Sequence, residues 1–238
     1  MKKEPEPACG TRSEVISMPV PHSPETVETI TANPRASIER PTWLSPEEVA
    51  QRAFDNPEGD MEDFGYAVFR AEYGGKANDI QSLWMSKLQP VRPTTEQIDE
   101  ADFRWPVTAA NHSLVLAQGV TDEYSDIQLL LRRYTANPVE HNRSLFTAVT
   151  LAFPDATSLH DGFDRARVFA TVELAQKRRL STLLIQHVPA HGGSARPMHV
   201  HLLVLPRAHG PLGFGEVVSD LTCDRGQSIL FEEWQAWK

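Results

Sequence analysis

Residues 192–207 read Gly-Gly-Ser-Ala-Arg-Pro-Met-His-Val-His-Leu-Leu-Val-Leu-Pro-Arg, and the fold is decided by this run. Side chains two apart on a strand point to the same face. His199 and His201 therefore share one face of a strand, together with Leu203 and Leu205. Leu202, Val204 and Pro206 take the opposite face. Imidazole is the side chain whose charge ordinarily changes near neutral pH. Two imidazoles on one face, a glycine pair upstream and Arg207 at the end describe a phosphate-handling or metal-binding edge better than an ordinary strand.

Working outward, Ser181–Ile185 predicts a strand just before the glycine turn. The strongest helical pattern precedes it, from Phe163 to Arg179. Val168, Val172 and Ala175 fall at helical spacing there, and Lys177-Arg178-Arg179 suits the negative end of the helix dipole. Further back come a strand at Leu145–Phe153, a helix at Thr121–Tyr134 and a strand at Asn111–Ala117 ending near Gly119. Asn78–Leu88 predicts a short helix, and Phe64–Phe69 a strand closed by Gly74-Gly75. Leu44-Ser45-Pro46-Glu47-Glu48-Val49 is a helix start with Ser45 as N-cap, Pro46 at the first helical position and Glu48 completing a capping box. Strands and helices in this order, with a glycine turn before the last strand, predict an α+β fold, an antiparallel sheet with packed helices. Residues 41–238 are expected to form a single domain, with 41–100 as its N-terminal extension. Seven of the 18 prolines lie between Pro5 and Pro41. Residues 1–40 are therefore expected to be a disordered Pro-rich tail.

Composition narrows the function. The chain has 238 residues, 40% hydrophobic and 23% charged, which is globular. Its formal net charge of −9 argues against non-specific nucleic-acid binding, which needs a basic face. A local Arg/His cluster can still hold a small anion. Two cysteines, Cys9 and Cys223, give neither a disulfide framework nor a thiolate zinc site. The N-terminus has no apolar core of a secretory signal, and no apolar run reaches membrane-spanning length. A cytoplasmic location without membrane contact is the default expectation.

The histidine pair supports three chemistries. A neutral imidazole can attack a phosphoryl group and hold it covalently, provided that its other nitrogen is hydrogen-bonded to fix the tautomer. Backbone around Gly192, Gly193 and Ser194, with Arg196 and Arg207, could then hold phosphate oxygens. A metal site is the second reading, with His187 and His191 available to join the pair. The glycine-to-histidine spacing matches the opening of a cupin motif, yet Leu205 and Pro206 occupy the positions where that motif needs a Glu. A half-apolar structural strand edge is the third. Trp234 and Trp237 are expected to cover the core rather than a base, and His141, His160 and Asp161 to be loop residues.

The run 193–207 resembles the signature strand of the histidine-triad superfamily, whose pattern alternates three histidines with apolar residues. It is nearest the branch of galactose-1-phosphate uridylyltransferases and diadenosine tetraphosphate phosphorylases. The first family histidine falls on His199, and the nucleophile on His201. The third position is Leu203, where the family carries His and that branch usually Gln. Ala110–Ala117 is similar to a second family strand and brings His112 near the expected site; His187 or a neighbour stands where a ribose- or phosphate-contacting Asn is common. The resemblance covers about residues 100–210. It implies a nucleotidyl or phosphoryl transferase or hydrolase acting on a nucleoside phosphate or dinucleoside polyphosphate. His201 would attack and His199 would orient or share a proton. His112, His187, Gly193, Ser194, Arg196 and Arg207 would bind substrate. No metal and no cofactor are implied. The partner would be a small nucleotide, and a homodimer is common in that family. The alternatives are a non-catalytic nucleotide-binding module and a His-ligated metal protein.

Overall fold

In the computed structural model, which describes residues 41–139 and 143–237, the described residues fall in one unit. The expected tail at 1–40 and His141 lie outside the described residues. The first helix, α1 (Pro46–Ala50), starts as its sequence requires. The Glu48 amide donates to Ser45 Oγ (3.2 Å) and the Ser45 amide to Glu48 Oε2 (2.8 Å). Strand β1 (Phe64–Arg70) follows, then the small hairpin β2 (Glu72–Tyr73) and β3 (Lys76–Ala77), turned by Gly74 and Gly75 at φ +58° and +73°. Next come α2 (Ile80–Leu88), capped by Asp79, α3 (Thr95–Glu100) and β4 (Asn111–Val115). The expected helix over 121–134 is broken. A 3₁₀ turn at Asp122–Ser125 precedes α4 (Ile127–Ala136), because the Asp126 side chain caps the Leu129 amide and restarts the helix.

Strand β5 (Ser144–Ala152) leads to α5 (Leu159–Phe169), which begins earlier than the sequence pattern indicates because Ser158 caps it. It runs into a π-helical stretch, Ala170–Gln176, and Arg179 ends the turn at φ +58°. Strands β6 (Thr182–His187) and β7 (His199–Val204) come next. A hairpin of β8 (Arg207–Gly210) and β9 (Gly213–Val217) and the C-terminal α6 (Gly226–Trp237) complete the chain.

β1, β5, β7, β6 and β4 form one antiparallel sheet in that order, which makes the fold α+β as expected. Both faces are covered. On one face Leu183, Ile185, Leu203 and Leu205 pack with Leu83, Trp84 and Leu88 of α2 and Leu130 and Leu131 of α4. On the other, Val200, Leu202 and Val204 pack with Phe163 and Phe169 of α5 and Trp234 of α6. The alternation read at 200–205 is thus the division between two cores. Residues 41–100 supply an edge strand and helices to this same body. Among the described residues no helix is long and apolar enough to cross a membrane.

Candidate functional site

Register builds the site. β6 and β7 are central strands, and their pairing sets His187 opposite His199 and Ile185 opposite His201. On the other side Thr150 of β5 pairs with His201. Directly opposed residues in a sheet share a face. His187, His199 and His201 therefore meet at the end of one face, just beyond the apolar rows of Leu183 and Leu203. Their ring centroids are 5.5 Å (187–199), 4.6 Å (187–201) and 4.9 Å (199–201) apart. One ring nitrogen from each lies within 4.8 Å of the other two.

Each ring has one nitrogen engaged. His187 Nε2 lies 2.8 Å from the Lys87 carbonyl, and His199 Nδ1 lies 3.1 Å from the Pro197 carbonyl. A carbonyl only accepts, so both nitrogens carry the proton and donate. That leaves His187 Nδ1 and His199 Nε2 as lone pairs. His201 Nδ1 is 2.9 Å from Thr150 Oγ1, which holds the ring and leaves Nε2 open. Burial is the main cause keeping all three neutral. His187 is pushed down to about 4, with the Lys87 ammonium and His199 adding to the effect and the hydrogen bond to the Lys87 carbonyl opposing it. His199 is lowered as well, and His201, with 7% of its surface exposed, is lowered most strongly.

A cleft of about 770 Å³ opens on the trio, with Glu47, Ser86, Lys87, His191, Ser194 and Arg196 among its walls. A second chamber of about 380 Å³ adds Asp55 and Thr150 and shares Lys87, Arg196 and His201 with the first. Burial pushes the Lys87 ammonium down to about 8 and Asp55 upward, and each charge opposes that effect on the other. Two neutral imidazoles with open lone pairs, and a third held by a hydroxyl that accepts either tautomer, stand next to two cationic side chains and can ligate a cation or meet an anion.

Of the residues picked out from sequence, His187, His199, His201, Ser194 and Arg196 come together here. Gly193 sits at φ +77° and closes the 3₁₀ turn Pro189–Gly192, so its glycine is required by the backbone. His112 and Arg207 do not join the site. His112, lowered by burial, lines a separate cleft with Arg104, Trp105 and Ile127. It shares the sheet face but stands across Ile185 on the edge strand. Arg207 is 5% exposed, and its guanidinium donates to the carbonyls of Gly215, Asn137 and Phe214. Those three bonds tie the β8–β9 hairpin to the end of α4 and occupy donors that a phosphate would need. Leu203, at the third family position, is fully buried in the core. Lys87 and Thr150 carry no local sequence signal. Only the packing of α2 and the register of β5 bring them to the histidines.

No family model matches this chain, and no curated protein matches it. A solved structure described as "Molecular Basis of Vancomycin Resistance Transfer in Staphylococcus aureus" is similar at 18% identity and a TM-score of 0.43. The likeness covers 55% of this chain and 66% of that one, just under two thirds of its length. At that score it carries no weight for fold or activity.

Proposed function

We propose that His187, His199 and His201 form a divalent-cation centre for phosphoryl or nucleotidyl transfer or hydrolysis on a nucleoside phosphate or dinucleoside polyphosphate. This replaces the sequence expectation of no metal. The observation that carries the reading is three neutral imidazoles at the edge of an open cleft, each anchored through one nitrogen, with one ring nitrogen from each within 4.8 Å of the other two. Anchoring of the outer nitrogen by a carbonyl or hydroxyl is how metal-ligating histidines are oriented. Tetrahedral ligands about 2.0–2.1 Å from a zinc ion stand roughly 3.3 Å apart, so the rings must draw closer than the 4.8 Å within which their nitrogens lie. Three histidines leave a coordination position open toward the cleft, as catalytic sites need. The cation supplies a Lewis acid that polarises a phosphoryl oxygen. The chain supplies the rest: Lys87 and Arg196 offset substrate charge, and α1 and α2 wall the cleft.

Metal analysis of the purified chain after loading with Zn²⁺ or Mn²⁺ tests this. About one ion per chain in the wild type and none in His199→Ala supports it. Wild-type protein that binds neither ion, and whose melting temperature neither ion moves, overturns it.

A second reading keeps His201 as a nucleophile, in line with the resemblance to the histidine-triad superfamily. It is favoured by the Thr150–His201 bond, which holds a neutral ring; in the tautomer whose Nδ1–H donates to the Thr150 hydroxyl, Nε2 is the free lone pair. An acid-labile, nucleotidyl-sized adduct formed in the presence of chelator, and absent in His201→Ala, would select this reading over the cation centre. Nucleotide binding without adduct or turnover would leave a binding module.

A further inference from the structure

Resting on the reading just proposed, we infer that the smaller chamber is an acceptor site. The phosphoryl or nucleotidyl group passes there to a small, neutral, polyhydroxyl alcohol, and Asp55 takes the hydroxyl proton. Of the two chambers, His187 and His199 line the larger cleft, whereas His201, Lys87 and Arg196 line both. Displacement at phosphorus puts the attacking and leaving oxygens roughly in line. A donor phosphorus held at the histidines therefore needs room on two sides, one for the leaving group and one for the attacking group. The chambers that meet at His201 provide both.

Size separates an alcohol from water. One water occupies about 30 Å³ of liquid, and the smaller chamber encloses about 380 Å³. Small-molecule sites run from roughly 300 to 1,000 Å³. Sheet register places Gly65 across from Thr150 and Ala67 across from Ala148 along this chamber, and Thr150 across from His201. Asp55 is held at the outer edge of β1. Its backbone bridges to Ala67, the Asn56 amide donates to the Tyr66 carbonyl, and Asn56 Oδ1 accepts from the Tyr66 amide (2.9 Å). Among the described residues the Asp55 carboxylate forms no hydrogen bond or ion pair, and Lys87 acts on it only through space.

Charge selects the acceptor. The Asp55 carboxylate opposes an anion, and Lys87 and Arg196 oppose a cation. A hydroxyl meets neither penalty and donates to the carboxylate. In the step, the alcohol oxygen bonds to phosphorus as the bond from phosphorus to the leaving oxygen breaks. The hydroxyl proton passes to Asp55, and the leaving group departs into the larger cleft with the electron pair.

Glycerol, added as acceptor to zinc- or manganese-loaded protein, tests the inference. p-Nitrophenyl phosphate and the p-nitrophenyl ester of thymidine monophosphate serve as phosphoryl and nucleotidyl donors. Nitrophenol release counts all turnover, and phosphorus NMR separates the glycerol ester from the hydrolysis product. Wild-type protein should form the ester in a proportion that saturates with glycerol. Asp55→Asn should keep about one ion per chain and lower the ester formed per nitrophenol at least about a hundredfold, the lower end of what a positioned general base contributes. Asp55→Ser serves the same comparison if the asparagine variant does not fold. Hydrolysis product alone, an ester yield that rises linearly with glycerol as bulk capture would, or an undiminished yield in Asp55→Asn overturns the inference and leaves the cation centre standing. Wild-type protein that binds no ion, or that is loaded and releases nitrophenol from neither donor, fails the earlier reading instead.

Discussion

Among the described residues, two sets of buried or half-buried histidines differ in what meets the second ring nitrogen. At the cleft, His187, His199 and His201 each spend one nitrogen on an anchor and turn the other toward open space. Within the β8–β9 hairpin, on β8 itself, His209 is fully buried. Its Nδ1 is 2.7 Å from Ser181 Oγ, its ring stacks on Phe214 at 4.0 Å, and Tyr124 meets it edge-on at 4.6 Å. Its buried Nε2 finds no hydrogen-bond partner among the described residues. Burial lowers His209 to about 4, as it does His187. A depressed histidine is therefore no mark of function by itself. Convergence of three rings on an open cleft distinguishes the trio from a histidine used as an aromatic filler.

The largest expected effect lies in chemistry. His201→Ala should abolish ion binding and lower any ion-dependent turnover at least about a hundredfold, since it removes a ligand and not merely its support. His209→Ala should leave both unchanged. The reverse pattern, measured by metal content and turnover, would invert the comparison. Next in size, His209→Ala should cost about 2–4 kcal/mol in urea unfolding, the range for a large ring deleted from a packed site. Thr150→Val, which leaves His201 without its anchor, should weaken ion affinity about tenfold with little change in melting temperature. Unchanged affinity would mean that the sheet alone orients the ring.

A further effect is in pH dependence. The unfolded chain protonates His209 near 6.5 and the folded chain only near 4. Above about 6.5 both states are neutral and this residue adds no slope. As pH falls from 6.5 toward 4 the unfolded state takes up the proton and the native state does not, so stability declines. His209→Phe should flatten the urea-midpoint profile across that window. An unaltered profile would show that His209 opens to water before it titrates.

The α+β class was legible because local signals agree with the tertiary answer. The Ser45–Glu48 capping box forms as written, and the alternation at Val200–Leu205 sorts side chains into two cores. The helix over 163–179 was legible in kind but not in detail. Its π-helical stretch depends on packing that a 3.6-residue pattern does not carry. Arg207 shows the limit for function. An arginine one turn beyond a histidine strand looks like a phosphate ligand until three carbonyls are found around it.

The sequence by itself determined that His199 and His201 share a face, because that follows from the two-residue period of a strand. Only the tertiary structure decided that His187 joins them, since the antiparallel register of β6 and β7 sets it opposite His199. It also decided that Lys87, 100 residues before His187, supplies the carbonyl and the charge. Both depend on backbone pairing and helix packing between distant segments, where no local period links the residues that meet.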